Sequence, residues 1–185
     1  VVARSVPGLN EVRPVVVPPS LVSVIIPTVG AKGTNGRMVD AAVASLHMRE
    51  TTVPFEIIAV TTGTIEPIDG VDVQVVLEPP FNFSQAMNAG RSHARGEFLV
   101  LLNDDTVIES EQPLLRLLEM ANDPRVGVVG AKLTYPDGRL QHAGMVILPS
   151  GPTHAHIARP GSFPGYFGST LTPRNFSAVT AAAML

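Results

Sequence analysis

Residues 82–106 read NFSQAMNAGRSHARGEFLVLLNDDT, and the order of residue types in this stretch decides the fold. Ser84 is suited to cap a helix over QAMNAGRSHA, because a short hydroxyl can accept from a first-turn amide, and Gly96 suits the exit. Phe98 to Leu102 is wholly apolar and too short for a helix, which predicts a strand buried on both faces. It ends abruptly on Asn103-Asp104-Asp105-Thr106. A helix feeding an apolar strand with a polar end is one unit of a parallel sheet.

The flanking sequence repeats that unit. Leu21 to Ile26, LVSVII, is β-branched and closed by Pro27, and Phe55 to Val60 and Val71 to Leu77 read as further strands. Residues 28–36, TVGAKGTNG, have loop composition, either a mobile flap or an unstructured insertion. Met38, Val39, Ala42, Val43 and Leu46 fall at helical spacing. Ser110 or Glu111 opens another helix with Pro113 in its first turn, an apolar face of Leu114, Leu117, Leu118 and Ala121, and a stop at Asp123-Pro124. Val126 to Val129 reads as a fifth strand. The expected class is α/β, a mostly parallel sheet with helices on both faces. Residues 1–20, with prolines at 7, 14, 18 and 19, read as a linker or peripheral arm, and 21–185 as one domain.

Composition narrows the function classes. Over 185 residues, 45% hydrophobic and 16% charged is a globular balance with enough chain for one core. A net charge of -3 argues against nucleic acid or an anionic membrane surface as a bulk partner. Cysteine is absent, which removes disulfides and thiolate metal sites. No apolar run approaches the ~18–20 residues of a transmembrane helix. The G-x-G-x-x-G, P-loop and G-x-S-x-G patterns do not occur at the positions where dinucleotide, NTP or α/β-hydrolase sites need them. A first residue Val1 and a last stretch AVTAAAML (178–185) suggest a piece of a larger protein.

Parallel sheets present ligands at the carboxyl ends of their strands, so the residues after Ile26, Val60 and Leu102 carry the chemistry. Carboxylates at such an end are costly to desolvate unless a cation or donor meets them. Asp104 and Asp105 therefore read either as a metal–diphosphate site, which suits the oxygen preference of Mg²⁺ and Mn²⁺, or as a cap for the following helix.

Several ordered motifs resemble the GT-A glycosyltransferases of the large inverting family that builds bacterial polysaccharides. These are Asn82-Phe83-Ser84, Asn88-Ala89-Gly90, Ala94-Arg95-Gly96-Glu97 and the DxD-like Asn103-Asp104-Asp105. VSVIIPT (22–28) is similar to the family's opening, and TYPDGRLQHAGMVI (134–147) to a segment of its O-antigen and rhamnan-type branch. The resemblance runs from about Val22 to the chain end. It implies a GT-A (Rossmann-like) fold, C-terminally incomplete, that takes a nucleotide-sugar donor and a glycan or lipid-linked acceptor in the cytoplasm, at the inner face of the membrane if the parent protein holds it there. It implies substrate contacts at Pro27, Thr28, Thr61, Asn88, Asn103, Asp104 and His142. A Mg²⁺ or Mn²⁺ ion would sit on Asp105, with Asp104 as a second metal or ribose partner, and the catalytic base would lie beyond Leu185.

Two positions depart from the family pattern. Thr61 stands where an aspartate usually meets the nucleotide base, and Asn103 replaces the first DxD aspartate. Both favour the alternative of a non-catalytic nucleotide-sugar- or glycan-binding module. A nucleotidyltransferase is a weaker third reading, resting on the glycines and Lys32 of residues 29–36. His142 reads as a substrate contact or a structural residue. His154 and His156 would share a face if THAHI were a strand, but no third metal ligand accompanies them. His47 and His93 read as surface or satisfied core residues, and Gly63, Gly90, Gly130 and Gly144 as turn or close-packing glycines.

Overall fold

The computed structural model describes residues 2–3, 10–11 and 14–185. Of the stretch read as a peripheral arm, 1–20, residues 1, 4–9 and 12–13 lie outside the described residues. In chain order the elements are β1 (Val22–Thr28), α1 (Met38–Arg49), β2 (Phe55–Thr62), β3 (Val73–Leu77), α2 (Phe83–His93), β4 (Phe98–Leu102) and α3 (Pro113–Ala121). Five short strands follow: β5 (Leu133–Thr134), β6 (Leu140–His142), β7 (Met145–Leu148), β8 (Gly151–His154) and β9 (Ala183–Met184).

The main sheet has the order β9-β4-β1-β2-β3. β1 runs parallel to both β2 and β4, β2 runs parallel to β3, and only β9 is antiparallel, on β4. All seven residues of β1 are buried, as a strand needs to be when neighbours flank it and helices cover both faces. Val22, Val24 and Ile26 pack with Val39, Val43, Leu46, Leu114 and Leu118, so α1 and α3 cover one face. Ile25 packs with Ile58, Val60, Ala86 and Met87, so α2 covers the other. Gly90 is what lets α2 come so close: a Cβ there would lie 2.4 Å from Cγ2 of Ile25. Gly130 is likewise close-packed, against Val179, Gly63 is a turn residue at φ 77°, and Gly144 is both, at φ 99° under the Phe176 ring. All four fill the turn or packing roles expected of them.

Several boundaries differ from the sequence reading, each for a local reason. α2 begins at Phe83, because Asn82 Oδ1 and not Ser84 accepts the first-turn amide, from Gln85 at 2.9 Å. α3 begins at Pro113 rather than Ser110 or Glu111, since Gln112 adopts a left-handed conformation at φ 55°. Residues 126–129 are not a buried strand. Val128 is 53% exposed, and Val129 exchanges backbone bonds of 2.7 and 2.8 Å with Leu185. The place in the sheet beside β4 is taken by β9 from AVTAAAML. Residues 28–36 are not an unstructured insertion: Lys32–Gly33 and Gly36–Arg37 pair as a tight hairpin, and Arg37 ties it to the carbonyls of Glu66 and Pro67 and to Asp40.

Gln112 gives α3 no side-chain cap, and the cap comes from elsewhere in the chain. Buried Glu50, just past α1, accepts from the Leu114 amide at 2.8 Å and more weakly from Leu115 at 3.4 Å through Oε2. Its Oε1 accepts from the Thr52 and Val53 amides, both at 3.0 Å. One carboxylate thus satisfies a helix start and a turn, and negative charge is favoured at that helix end. Replacing Glu50 with Ala is expected to lower stability by about 2–3 kcal/mol. Guanidinium unfolding of the two proteins tests this, and a loss below about 0.5 kcal/mol would contradict the capping role.

Candidate functional site

Because β1 and β4 are neighbours and parallel, Thr28 and the turn after Leu102 fall on the same edge of the sheet. The Thr28 hydroxyl donates to Asp104 Oδ2 at 2.6 Å, and the Gly30 amide donates to Thr28 Oγ1 at 2.9 Å. Gly30 takes φ 71°, a left-handed conformation just past the end of β1 that suits glycine. On the other side the Asn103 amide donates to the Ala182 carbonyl at 2.8 Å, and Thr106 closes the turn onto Asn103 at 3.2 Å. The acidic turn is therefore gripped from β1 and from the segment leading into β9.

Asp104 is half-buried and Asp105 exposed. Burial pushes the Asp104 carboxyl above its ordinary range, the bond from Thr28 offsets part of this, and the charge of Asp105 adds to the rise. Among the described residues no basic side chain pairs with either aspartate. Nor do three or more His, Cys, Asp or Glu side chains gather anywhere among them as a protein-only metal cage. The cap reading for this pair fails, because α3 starts eight residues after Asp105 and its first amides belong to Glu50. Two adjacent carboxylates without a basic partner among the described residues fit a hard divalent ion that keeps water or phosphate oxygens as its other ligands.

Pro27 and Thr28 pair with Val60 and Thr61 of β2, so these positions share the edge. Thr61 is 0% exposed, and its hydroxyl donates to the Val75 carbonyl at 3.4 Å, so it lines the edge from within the sheet. Asn88 is exposed on α2, the helix on the face opposite α1 and α3. No hydrogen bond among the described residues joins it to the acidic turn.

The histidines associate differently from the sequence reading. His142 is 1% exposed, and its Nδ1 lies 3.0 Å from Nδ1 of His154, with the rings edge to face at 5.1 Å. His156 is not on a strand with His154: it takes φ 60° past the end of β8, packs against Phe163 and lies 3.4 Å from Ser169 Oγ. His47 and His93 are satisfied by the carbonyls of Gly70 and Ala89 at 2.8 and 2.9 Å.

At the amino edge, Ala94-Arg95-Gly96-Glu97 proves to be architecture. Glu56, 1% exposed, accepts from Ser23 Oγ at 2.6 Å and from the Arg95 amide and Nε, both at 2.8 Å, with Arg95 Nη2 at 2.6 Å. Burial pushes the Glu56 carboxyl up, but the bonds from Ser23 and Arg95 outweigh it and hold it below the usual range. Gly96 donates to Ser23 Oγ at 2.8 Å and approaches β1 too closely for a Cβ, while Glu97 accepts from the Ser20 amide and hydroxyl, both at 2.8 Å. The sequence signal for this network was a serine and a glutamate inside apolar strands.

Residues 23–172 match the Glycosyl transferase family 2 description, and the chain belongs to that family. It is 40% identical over 177 residues to the uncharacterized protein y4gI of Sinorhizobium fredii. It is 31% identical over 186 residues to the O-antigen biosynthesis protein RfbC of Myxococcus xanthus. Each alignment covers 89% of this chain but only 19% and 13% of the relatives, so the chain spans under a fifth of their length. The mannosyltransferase PcManGT from Pyrobaculum calidifontis, solved with GDP-Man and Mn²⁺, is similar in fold. Its TM-score is 0.50 at 19% identity, over 65% of this chain and 37% of that one. The mainly parallel α/β sheet is thus of the GT-A kind.

Burial, with the charge of His154 second, lowers the His142 pKa to about 4. Above about pH 6.5 the residue is neutral whether folded or unfolded, and no stability is lost there. As pH falls from 6.5 towards 4 the unfolded chain takes up the proton first, so stability drops by about 2–3 kcal/mol. Chemical unfolding at pH 7.0 and 4.5 should show a smaller drop in His142→Asn than in the wild type; equal drops would refute the assignment.

Proposed function

We propose that this domain binds a nucleotide-sugar donor along the carboxyl edge of β1, β2 and β4. Within its parent protein it transfers the sugar, of hexosyl type, with inversion to a glycan or lipid-linked glycan acceptor. The observation that carries this reading is the pair Asp104–Asp105, without a basic partner among the described residues, fixed by Thr28 at that edge in a chain of this family. The O-antigen biosynthesis relative and the mannosyltransferase solved in complex with GDP-Man and Mn²⁺ support the same donor class.

Asp105, exposed on the turn, is the leading ligand for Mg²⁺ or Mn²⁺, and Asp104 is its partner towards the metal or the ribose. Such an ion supplies Lewis acidity towards the departing diphosphate. Asn103 offers a neutral oxygen, Pro27 and Thr61 shape the wall, and Thr28 stands behind Asp104. Thr61 lends no charged acceptor to the base, its hydroxyl being bonded to Val75. Asn88 and His142 are given no step.

Inversion calls for a base on the face away from the leaving group. Glu50, Glu56, Glu97, Asp123 and Asp137 are held by α3, Arg95, Ser20, Arg125 and Arg139 respectively. None of these five is therefore assigned as the base. The neutral residues at 61 and 103 favour a second reading, a module that binds the donor without turnover. Sugar transfer by the parent protein to a glycan acceptor distinguishes the two. Nucleotide-sugars are made in the cytosol, so the site is proposed to face it; among the described residues no helix is long and apolar enough to cross a membrane.

Titration calorimetry with UDP, TDP, GDP and ADP tests donor binding. At least one should bind in Mn²⁺ and weaken about tenfold or more in EDTA or in Asp105→Ala. Equal affinity with and without metal, in both proteins, would sink the metal assignment.

A further inference from the structure

We infer that Thr28 is a positioning residue: its hydroxyl aims the Asp104 carboxylate at the donor and does not itself touch substrate. The inference rests on the donor site proposed above, but comes from a separate observation, the hydrogen bonding of one hydroxyl. A threonine hydroxyl has one proton and two lone pairs. Here the proton goes to Asp104 Oδ2 at 2.6 Å, the range of a charge-assisted bond, and one lone pair takes the Gly30 amide at 2.9 Å. The residue is 2% exposed, so little of it is left for a ligand to meet.

The two partners differ in how firmly they are held. Thr28 ends the central strand, with all seven of its residues buried and paired to β2 along the whole length. Asp104 sits on a two-residue turn beyond the last rung of β4. The bond therefore transfers the rigidity of the sheet to a side chain that a turn alone would leave free to rotate, as a precise site requires.

The donor is also the right kind of group. A lysine or arginine in this place would orient Asp104 equally well but would neutralise it and compete with a cation. A hydroxyl orients without adding charge, so the acidic pair keeps its full attraction for a divalent ion. A carboxylate offers about four lone-pair sites, and one bond from Thr28 fixes it without filling it.

The test is a double-mutant cycle read by calorimetry, using the tightest binder among UDP, TDP, GDP and ADP with Mn²⁺. Thr28→Val, which keeps the shape and removes the hydroxyl, should weaken binding about tenfold, and Thr28→Ser should restore it to within about twofold. In an Asp104→Ala background Thr28→Val should change affinity less than about twofold, because the carboxylate it aims is gone. Thr28→Ala reads the same cycle if the valine variant does not fold. Wild-type affinity in the variant lacking the hydroxyl, an equal loss in both backgrounds, or no recovery in Thr28→Ser would each overturn the inference. A wild type that binds none of the four nucleotides would instead overturn the donor site itself.

Discussion

The burial of β1 on both faces and along both edges is the constraint on which the structure depends. A strand with β2 on one side and β4 on the other, and with helices above and below, has no polar surface to offer. Its register against two parallel neighbours is consequently fixed residue by residue, since a slip of one position would exchange the α2 face for the α1–α3 face. That register brings Thr28 level with Thr61 and within reach of Asp104. It also sets Ser23 opposite Glu56 at the other end.

The two ends of the sheet use carboxylates in opposite ways. At the amino edge Glu56 is almost fully buried, and Ser23 and Arg95 meet it with a hydroxyl, an amide and a guanidinium. Leaving such a group unpaired costs several kcal/mol, and here the cost is met by protein groups, so nothing is left for a ligand. At the carboxyl edge one neutral hydroxyl meets Asp104, and no basic side chain among the described residues pairs with Asp104 or Asp105. That deficit of positive charge is what the proposed cation would offset. Arg95, and Glu97 bonded to Ser20, belong to the scaffold even though they lie in the same run of sequence as the acidic turn.

How much of this was legible in the sequence followed from the range of the interactions involved. The four parallel strands and the three helices are written in local periodicity and were readable. The acidic turn was readable because three polar residues end a wholly apolar strand. The Thr28–Asp104 bond was not, because it joins residues 76 apart and depends on the strand order. Glu50 escaped notice for the same reason: it caps a helix that begins 63 positions later, and Gln112 gave no hint of needing help. Val126 to Val129 looked like a core strand on composition, but apolar residues flanked by Gly127 and Gly130 lie at an edge, and the apolar end of the chain filled the sheet instead. His154 and His156 would share a face only on a continuous strand, which the positive φ of His156 breaks.

Paramagnetic broadening by Mn²⁺ tests the central claim most directly. Backbone amide spectra of the labelled domain would be recorded with a bound nucleoside diphosphate, before and after substoichiometric Mn²⁺. The expected result is selective loss of the amides of Thr28 to Gly30 and of Asn103 to Thr106, with the amides of Arg95 to Glu97 at the opposite edge unaffected. Broadening centred on the amino edge or around His142 and His154, with the acidic turn untouched, would contradict the account.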